Sequence, residues 1–159
     1  MHLARVDVMY DEEFIPLDIA DCGEVAGLEA LCFPTAWKEE QYRVLVEKGR
    51  CKLFGARRQG RLLAYIALGT APGLPDMEIY NIAVDPSERR KGLGKKLLEL
   101  SLEAARLTSI ERILLEVRES NTAARALYEG AGFVSHGRRK SYYSAPPEDA
   151  VLYIYHCAC

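Results

Sequence analysis

The chain has 159 residues, of which 49% are hydrophobic and 28% charged, and its formal net charge is -2. This length suits one domain with one core, so we expect a single domain over residues 1–159. The small net charge excludes a strong overall attraction to nucleic acid or to an anionic membrane. No run approaches the roughly 20 apolar residues of a membrane helix, and residues 1–7 lack the apolar core of a secretory signal, so we expect a cytoplasmic protein.

The cysteines indicate neither a disulfide framework nor a metal site. Their number is odd, and only the last two are close in sequence: Cys22, Cys32, Cys51, Cys157 and Cys159. The spacing Cys157-Ala158-Cys159 is too tight for a zinc knuckle, which also needs a second pair elsewhere. We therefore expect free thiols in a reducing compartment and no bound metal.

The first third of the chain predicts a strand and two helices. Residues 14–20 read as a strand, and Asp21 is a candidate N-cap for a helix through about Leu31. The apolar residues of that helix recur at helical spacing, namely Val25, Leu28, Ala30 and Leu31. Thr35, with an acid a few residues later, suggests a second helix start, and Gly49 follows its predicted end near Glu47.

The rest of the chain alternates strands and helices. A hairpin with Gln59-Gly60 at its turn precedes further elements, which we predict as strands at 77–84 and 113–117, helices at 93–105 and 122–129, a strand from 133, a polar loop at 138–149 and a last strand at 151–155. Four helices that interrupt a set of strands predict a mixed α/β sheet. The unit at 77–117 should form a parallel, right-handed crossover.

The basic turn at residues 89–96 is the strongest functional signal. It holds five basic side chains around Gly92 and Gly94, between a predicted strand and a predicted helix. Glycine lets a phosphate approach the backbone, and the first amides of a helix have no partner within the helix. The turn matches neither the dinucleotide fingerprint nor the P-loop. Without further evidence, a surface turn before a solvated helix explains the pattern equally well.

Four blocks, in order from about residue 32 to 151, resemble the RimI-like ribosomal-protein-alanine N-acetyltransferases of the GNAT superfamily. They are 32–39 (CFPTAWKE), 81–94 (NIAVDPSERRKGLG), 115–133 (LEVRESNTAARALYEGAGF) and 138–150 (RRKSYYSAPPEDA). The resemblance implies an α/β fold (α+β by some schemes), the GNAT acyltransferase fold, with a single mixed, mostly antiparallel sheet flanked by helices on both faces. It also implies acetyl transfer from acetyl-CoA to a primary amine, without a metal.

Two residues are candidates for the proton transfers. Glu116 lies within the apolar strand 113–117, where an acid is costly unless it faces a wet cleft or a partner. The resemblance implies that Glu116 is the general base, either directly or through water, whereas simple strand alternation toward solvent is the competing explanation. The resemblance implies that Tyr128 is the general acid, whereas packing at the end of its helix is the alternative.

The same resemblance places the remaining site residues. Acetyl-CoA would lie along the backbone of Ile82, Ala83 and Val84 and against the basic turn, with these predicted contacts: Arg89, Arg90, Lys91, Gly92, Leu93, Gly94, Lys95, Lys96 and Asn121. Asn121 also suits a helix N-cap, which alone explains its residue type. The blocks that mark the subfamily contain the predicted acceptor contacts Trp37, Arg138, Arg139, Tyr142 and Tyr143.

The expected acceptor is a protein N-terminus, foremost the N-terminal alanine of a small-subunit ribosomal protein. An α-amino group has an ordinary pKa of about 7.7–8.0 and a lysine about 10.4, so a modest base suffices for the former. The alternatives are a small-molecule amine or lysine acetyltransferase of the same fold and a noncatalytic acyl-CoA-binding module. We expect a monomer or weak dimer.

Overall fold

The computed structural model describes residues 8–9 and 11–157, and these form one sheet of eight strands in the order β1-β2-β3-β4-β5-β6-β8-β7. The strands are β1 Val8–Met9, β2 Glu12–Leu17, β3 Cys51–Arg58, β4 Arg61–Thr70, β5 Asp76–Val84, β6 Arg112–Arg118, β7 Val134–Ser144 and β8 Pro147–His156. The helices are α1 Cys22–Cys32, α2 Glu39–Glu47, α3 Leu93–Arg106 and α4 Thr122–Gly130. Short 3-10 turns lie at Ile19–Asp21 and Pro86–Glu88.

The pairing confirms the mixed, mostly antiparallel sheet with helices on both faces. Among the described strands, only β5 and β6 pair in parallel, and α3 connects them along the chain. One core cluster joins the sheet to α3 and α4, and the second joins it to α1 and α2. Residues 62–69 of β4 are buried throughout, because this central strand contributes side chains to both clusters.

The helix predictions need three corrections. In α1 the buried face is Cys22, Val25 and Leu28–Glu29, whereas Ala30 and Leu31 are exposed. Asp21 stands at the N-cap position, but its carboxylate makes no cap hydrogen bond to α1 and accepts instead from the Asp18 N–H at 2.8 Å. The second helix begins at Glu39 and not near Thr35.

The predictions at the two ends of the chain differ from the structure in their extent. The strand predicted at 14–20 is β2, which ends at Leu17. Ile19 starts a 3-10 turn, because the Asp18 carboxylate caps that turn by accepting from the Ala20 N–H at 2.9 Å. The predicted loop at 138–149 is wrong, since β7 and β8 form a hairpin there. Bulges in its register and its exposed residues removed the alternation that predicts a strand.

Four of the five cysteines, Cys22, Cys32, Cys51 and Cys157, are free thiols, and Cys159 lies outside the described residues. The predicted absence of a signal at residues 1–7 also falls outside them. Within residues 8–9 and 11–157, no group of histidine, cysteine and acidic side chains is arranged to hold a metal ion. None of the four described helices has the length and apolar character needed to cross a membrane.

Candidate active site

The two parallel strands separate halfway along their length. Residues 76–79 of β5 pair with residues 112–115 of β6. Beyond that point, residues 81–84 pair with β4 on the other side, and residues 116–118 pair with β8. A wedge therefore opens between residues 81–84 and 116–118, and it leaves one edge of β5 without a β6 partner. An unpaired strand edge can hydrogen-bond an extended ligand.

A β-bulge at Tyr80 marks the point of separation. Leu68 pairs with Ile79 and Ala67 with Asn81, so Tyr80 is the extra residue. The Tyr80 ring lies over Gly69, where a Cβ would overlap it. Its other neighbour is the half-buried Trp37 ring, with centroids 5.1 Å apart. We call Trp37 and Tyr80 the aromatic wall; Tyr80 also lines a depression of about 250 Å³ with Glu78 and Leu114.

The loop of residues 85–92, here the basic loop, leads from β5 into α3. Arg90 and Gly92 have positive φ angles of 64° and 83°, and backbone alternation of this kind turns successive N–H groups to one side. Gly92 is the N-cap of α3, whose first turn has no acidic residue and no side-chain cap. Among the described residues, no atom other than those of its two chain neighbours lies within 4 Å of where a Gly92 Cβ would stand. The helix terminus is therefore open to an anion.

The basic side chains of the loop are not all free to contact a ligand. The Lys91 ammonium donates to the buried Glu88 at 2.9 Å, and the Arg58 guanidinium also binds Glu88 at 2.9 Å. These hydrogen bonds, Arg58 first, lower the pKa of Glu88 to about 2. The Arg89 Nε donates to the Val84 carbonyl at 3.3 Å. Lys91 thus holds the loop together, which leaves Arg90 nearest the open amides in sequence.

Glu116 lies at the mouth of the wedge, on the sheet face opposite Leu115 and Val117. Its carboxylate lies 3.3 Å from the Arg139 Nε. Its hydrogen bond to the Tyr142 phenol, followed by burial, raises the pKa of Tyr142. The Glu116 carboxylate therefore has a cation and a phenol as its partners.

A second carboxylate shares this face. Glu78 precedes the bulge on β5, opposite Leu114, and alternation turns it to the same side as Glu116. Part of Glu78 is exposed, yet burial of its carboxyl group and then the charge of Glu116 raise its pKa, while Arg139 opposes the shift. The depression beside the aromatic wall is thus acidic on one side.

Tyr128 lies in α4, on the other side of the wedge. It is buried at 6% exposure and packs edge-on against Phe133, with centroids 5.6 Å apart. Burial, then the nearby Tyr143 phenol, raises the pKa of Tyr128, so its hydroxyl stays protonated at neutral pH. Burial and then the charge of the nearby Glu116 raise the pKa of Tyr143 to about 12. Tyr143 therefore lies near both candidate catalytic groups.

Arg118 fixes the tip of the β7–β8 hairpin beside these residues. Its guanidinium lies 4.3 Å from the centre of the Tyr143 ring. It also donates to the Pro146 carbonyl at 2.9 Å and to Glu148 at 3.3 Å. The hairpin thus brings Tyr142 and Tyr143 to Glu116 because the end of β6 holds its tip.

The predicted substrate residues separate into two groups. Arg139 and Tyr142 lie beside Glu116, and Trp37 lies against Tyr80 at the point where the strands separate. The Arg138 guanidinium instead binds Glu119. Alternation along the strand explains this split between neighbouring arginines.

The predicted cofactor residues lie along β5, in the basic loop and at the starts of α3 and α4. Ile82 and Val84 turn their side chains toward Gly94 at the start of α3, while Ala83 is buried on the opposite face and Leu93 in the α3 core. Asn121 caps α4, since its Oδ1 accepts from the Ala124 N–H at 3.2 Å. Lys95 reaches toward Glu99 at 4.0 Å.

Sequence reasoning missed Glu29 and Glu78. Glu29 is buried at 1% exposure, and its carboxylate accepts hydrogen bonds from α2, β4, β5 and the Trp37 main chain. The sequence feature that could have identified Glu29 is its position on the same helix face as Cys22 and Val25, where an acid interrupts an apolar face. Glu78 had the same signal as Glu116, an acid in an apolar strand.

Comparison with known proteins gives a consistent result. Residues 23–133 match the family described as acetyltransferase (GNAT). The [ribosomal protein bS18]-alanine N-acetyltransferase of Escherichia coli (strain K12) is 38% identical over 138 residues, which are 86% of this chain and 91% of that protein. The N-alpha-acetyltransferase RimI of Mycobacterium tuberculosis (strain ATCC 25618 / H37Rv) is 33% identical over 135 residues, 82% of this chain and 84% of that protein.

Solved structures agree with the sequence comparison. The crystal structure of the ribosomal-protein-S18-alanine N-acetyltransferase from Escherichia coli superposes with a TM-score of 0.85 at 29% identity. The match covers 93% of this chain and 95% of that one.

Proposed function

The chain belongs to the acetyltransferase (GNAT) family, and we propose that it transfers the acetyl group of acetyl-CoA to the N-terminal α-amino group of a protein. The acceptor we propose is the N-terminal alanine of a small-subunit ribosomal protein, the substrate named for relatives that are 38% identical over 86% of this chain. The observation that carries the proposal is the wedge between β5 and β6, which has Glu116 at its mouth and Tyr128 on its other side.

The surroundings of the wedge fit acetyl-CoA. Its pyrophosphate would bind the open amides of α3 and the side of Arg90, where nothing fills the space at Gly92. Its amide-bearing arm would lie along residues 82–84, whose edge has no β6 partner, and beside Asn121. The bound thioester supplies an activated acetyl group.

The proton transfers belong to the two candidate catalytic residues. Glu116 would take a proton from the attacking amine, directly or through water, as the new C–N bond forms. Tyr128 would give its proton to the sulfur when the C–S bond breaks, since its raised pKa keeps the phenol protonated. Trp37 and Tyr142 would line the acceptor path. Arg138 would bind the acceptor chain farther out.

A second candidate function has one observation in its favour. Glu78 lines the depression, and burial and then the charge of the neighbouring Glu116 raise the Glu78 pKa. An acidic surface of this kind suits a small cationic amine such as a polyamine. Arg139 offsets this charge at Glu116. The experiment must therefore include small amines beside peptides.

Mass spectrometry of a substrate mixture tests the proposal. The purified protein and acetyl-CoA are incubated with an alanine-starting ribosomal peptide, other N-termini and a polyamine. The matched control is the same alanine peptide with a blocked N-terminus and an internal lysine. Acetylation confined to free N-termini, strongest on the alanine peptide, is the expected result. Transfer to lysine or to the polyamine instead would refute it, and cofactor binding without any transfer would indicate the noncatalytic module.

A further inference from the structure

Glu29 is a carboxylate surrounded by neutral donors in the described part of the chain. It lies on the inner face of α1 at 1% exposure. Oε1 accepts from the Tyr65 hydroxyl at 2.8 Å, from the Asn81 amide at 2.7 Å and from the Tyr42 hydroxyl. Oε2 accepts from the Trp37 main-chain N–H. Such burial is tolerated only when the charge is fully hydrogen-bonded.

The four donors lie on the elements that form one side of the wedge. Asn81 directly follows the bulge residue Tyr80, and the Trp37 ring packs at a tilt against Tyr80 with centroids 5.1 Å apart. The Trp37 ring also contacts Tyr42 at 5.2 Å. One carboxylate thus joins α1 to the bulge through Oε1 and to the loop before α2 through Oε2.

We propose that Glu29 is a positioning residue for acetyl transfer: its Oε2 holds the main chain at Trp37, so that the Trp37 indole stays against Tyr80 and keeps the aromatic wall in place for the acceptor. This inference rests on the proposed function, because the wall needs an acceptor to bind. It assigns Glu29 no contact with either substrate.

The two oxygens make Glu29→Gln a selective change. In the variant, the amide oxygen is best placed toward Tyr42, Tyr65 and Asn81, which are three donors. The amide NH2 then replaces Oε2 and faces the Trp37 N–H, where two donors meet and no hydrogen bond forms. Glu29→Gln should therefore release the Trp37 main chain while the bulge keeps its partner.

The chain has a single tryptophan, so its fluorescence reports on the aromatic wall directly. For Glu29→Gln we expect red-shifted emission as the indole gains solvent. We also expect an increase of about tenfold in KM for the alanine peptide with kcat changed less than about threefold, the pattern of lost binding alone. The Kd of acetyl-CoA should stay within about twofold.

Tyr65→Phe is the matched control. It removes one donor to Oε1 from the same buried cluster and leaves the bond between Oε2 and Trp37. Its emission and its KM for the peptide should stay near those of the wild type, even if its melting temperature falls as much as that of Glu29→Gln. Equal changes in both variants would make Glu29 a general core residue and overturn the proposal.

Two further outcomes are decisive. If Glu29→Gln folds and its emission and its KM for the peptide equal those of the wild type, the proposal is also overturned. If Glu29→Gln does not fold, Trp37→Leu takes its place, because that variant keeps the main-chain bond and removes the indole; an unchanged KM would mean that no aromatic wall needs positioning. Failure of the proposed function is distinguishable, since the wild type itself would then leave the peptide unmodified.

Discussion

Two buried carboxylates stabilise the two sides of the wedge in different ways. Glu88, on the side of the basic loop, binds the Arg58 guanidinium and the Lys91 ammonium. Glu29, on the side of the aromatic wall, accepts hydrogen bonds from neutral groups. Ion pairs hold charges together over a range of geometries, while hydrogen bonds from ring hydroxyls and amides fix directions. The difference suggests that the loop needs positive charge kept in place, whereas the wall needs an accurate position.

The largest expected effect on activity comes from changing Glu116, at the mouth of the wedge. Glu116→Gln should lower kcat by about 10²–10⁴ and leave the binding of acetyl-CoA and peptide nearly intact, because Glu116 belongs to neither carboxylate cluster. Steady-state kinetics with a direct Kd for acetyl-CoA measure this separation. Glu78→Gln is the comparison variant, since it removes a carboxylate from the same face. A larger loss of kcat in Glu78→Gln would transfer the role of base to Glu78.

Tyr128→Phe should lower kcat by about 10² without moving the Kd of either substrate. The variant removes a hydroxyl and keeps the ring that packs on Phe133, so the core should remain intact. Tyr153→Phe controls for loss of a phenol nearby, because its hydroxyl donates to Glu129 at 2.6 Å and accepts from Arg125. Normal turnover in Tyr128→Phe would leave Tyr128 as a packing residue.

Gly92→Val tests the basic loop alone. The positive φ of 83° at Gly92 strains a β-branched residue, and the new side chain would occupy the open space above the α3 amides. We expect the Kd of acetyl-CoA to rise about tenfold or more, with Trp37 emission unchanged. Gly73→Val is a matched control, since Gly73 has a φ of 79° and equally open surroundings in a loop away from α3. Equal losses of affinity in both variants would indicate general destabilisation.

The sequence predicted most of the elements and little of the side-chain network that supports the site. Glu116 and Gly92 could be proposed as site residues because each lies in a local pattern, an acid in an apolar strand and a glycine in a basic turn. Glu29 and Arg58 act through partners far apart in the chain, for example Glu29 with Asn81, and local periodicity carries no information on such contacts. The β7–β8 hairpin was missed because the bulges in its register and the exposure of β7 remove the alternation that predicts a strand.

The smallest expected effect is on the melting temperature, when the ion pairs of Glu88 in the basic loop are removed. The folded pKa of Glu88 is lowered from 4.5 to about 2, so Glu88 stabilises the fold fully above about pH 4.5 and progressively less as the pH falls toward 2. Glu88→Gln should therefore melt about 2–4 °C below the wild type at pH 7, and the melting temperatures of the two proteins should converge only as the pH falls below the folded pKa of Glu88, about 2. Asp85, whose pKa is also lowered to about 2, keeps its own acid dependence in both proteins.

Varying the salt concentration in the same melting experiment distinguishes the role of Glu88 from that of Glu29. Raising the salt concentration should narrow the gap between wild type and Glu88→Gln, because screening weakens the ion pairs with Arg58 and Lys91. The gap between the melting temperatures of wild type and Glu29→Gln should persist, since the donors to Glu29 are neutral groups. Glu12→Gln is the control for Arg58, whose other carboxylate partner at 2.6 Å is Glu12, and it leaves the Lys91 pair in place. If salt narrowed both gaps alike, the two sides of the wedge would be held by the same kind of force.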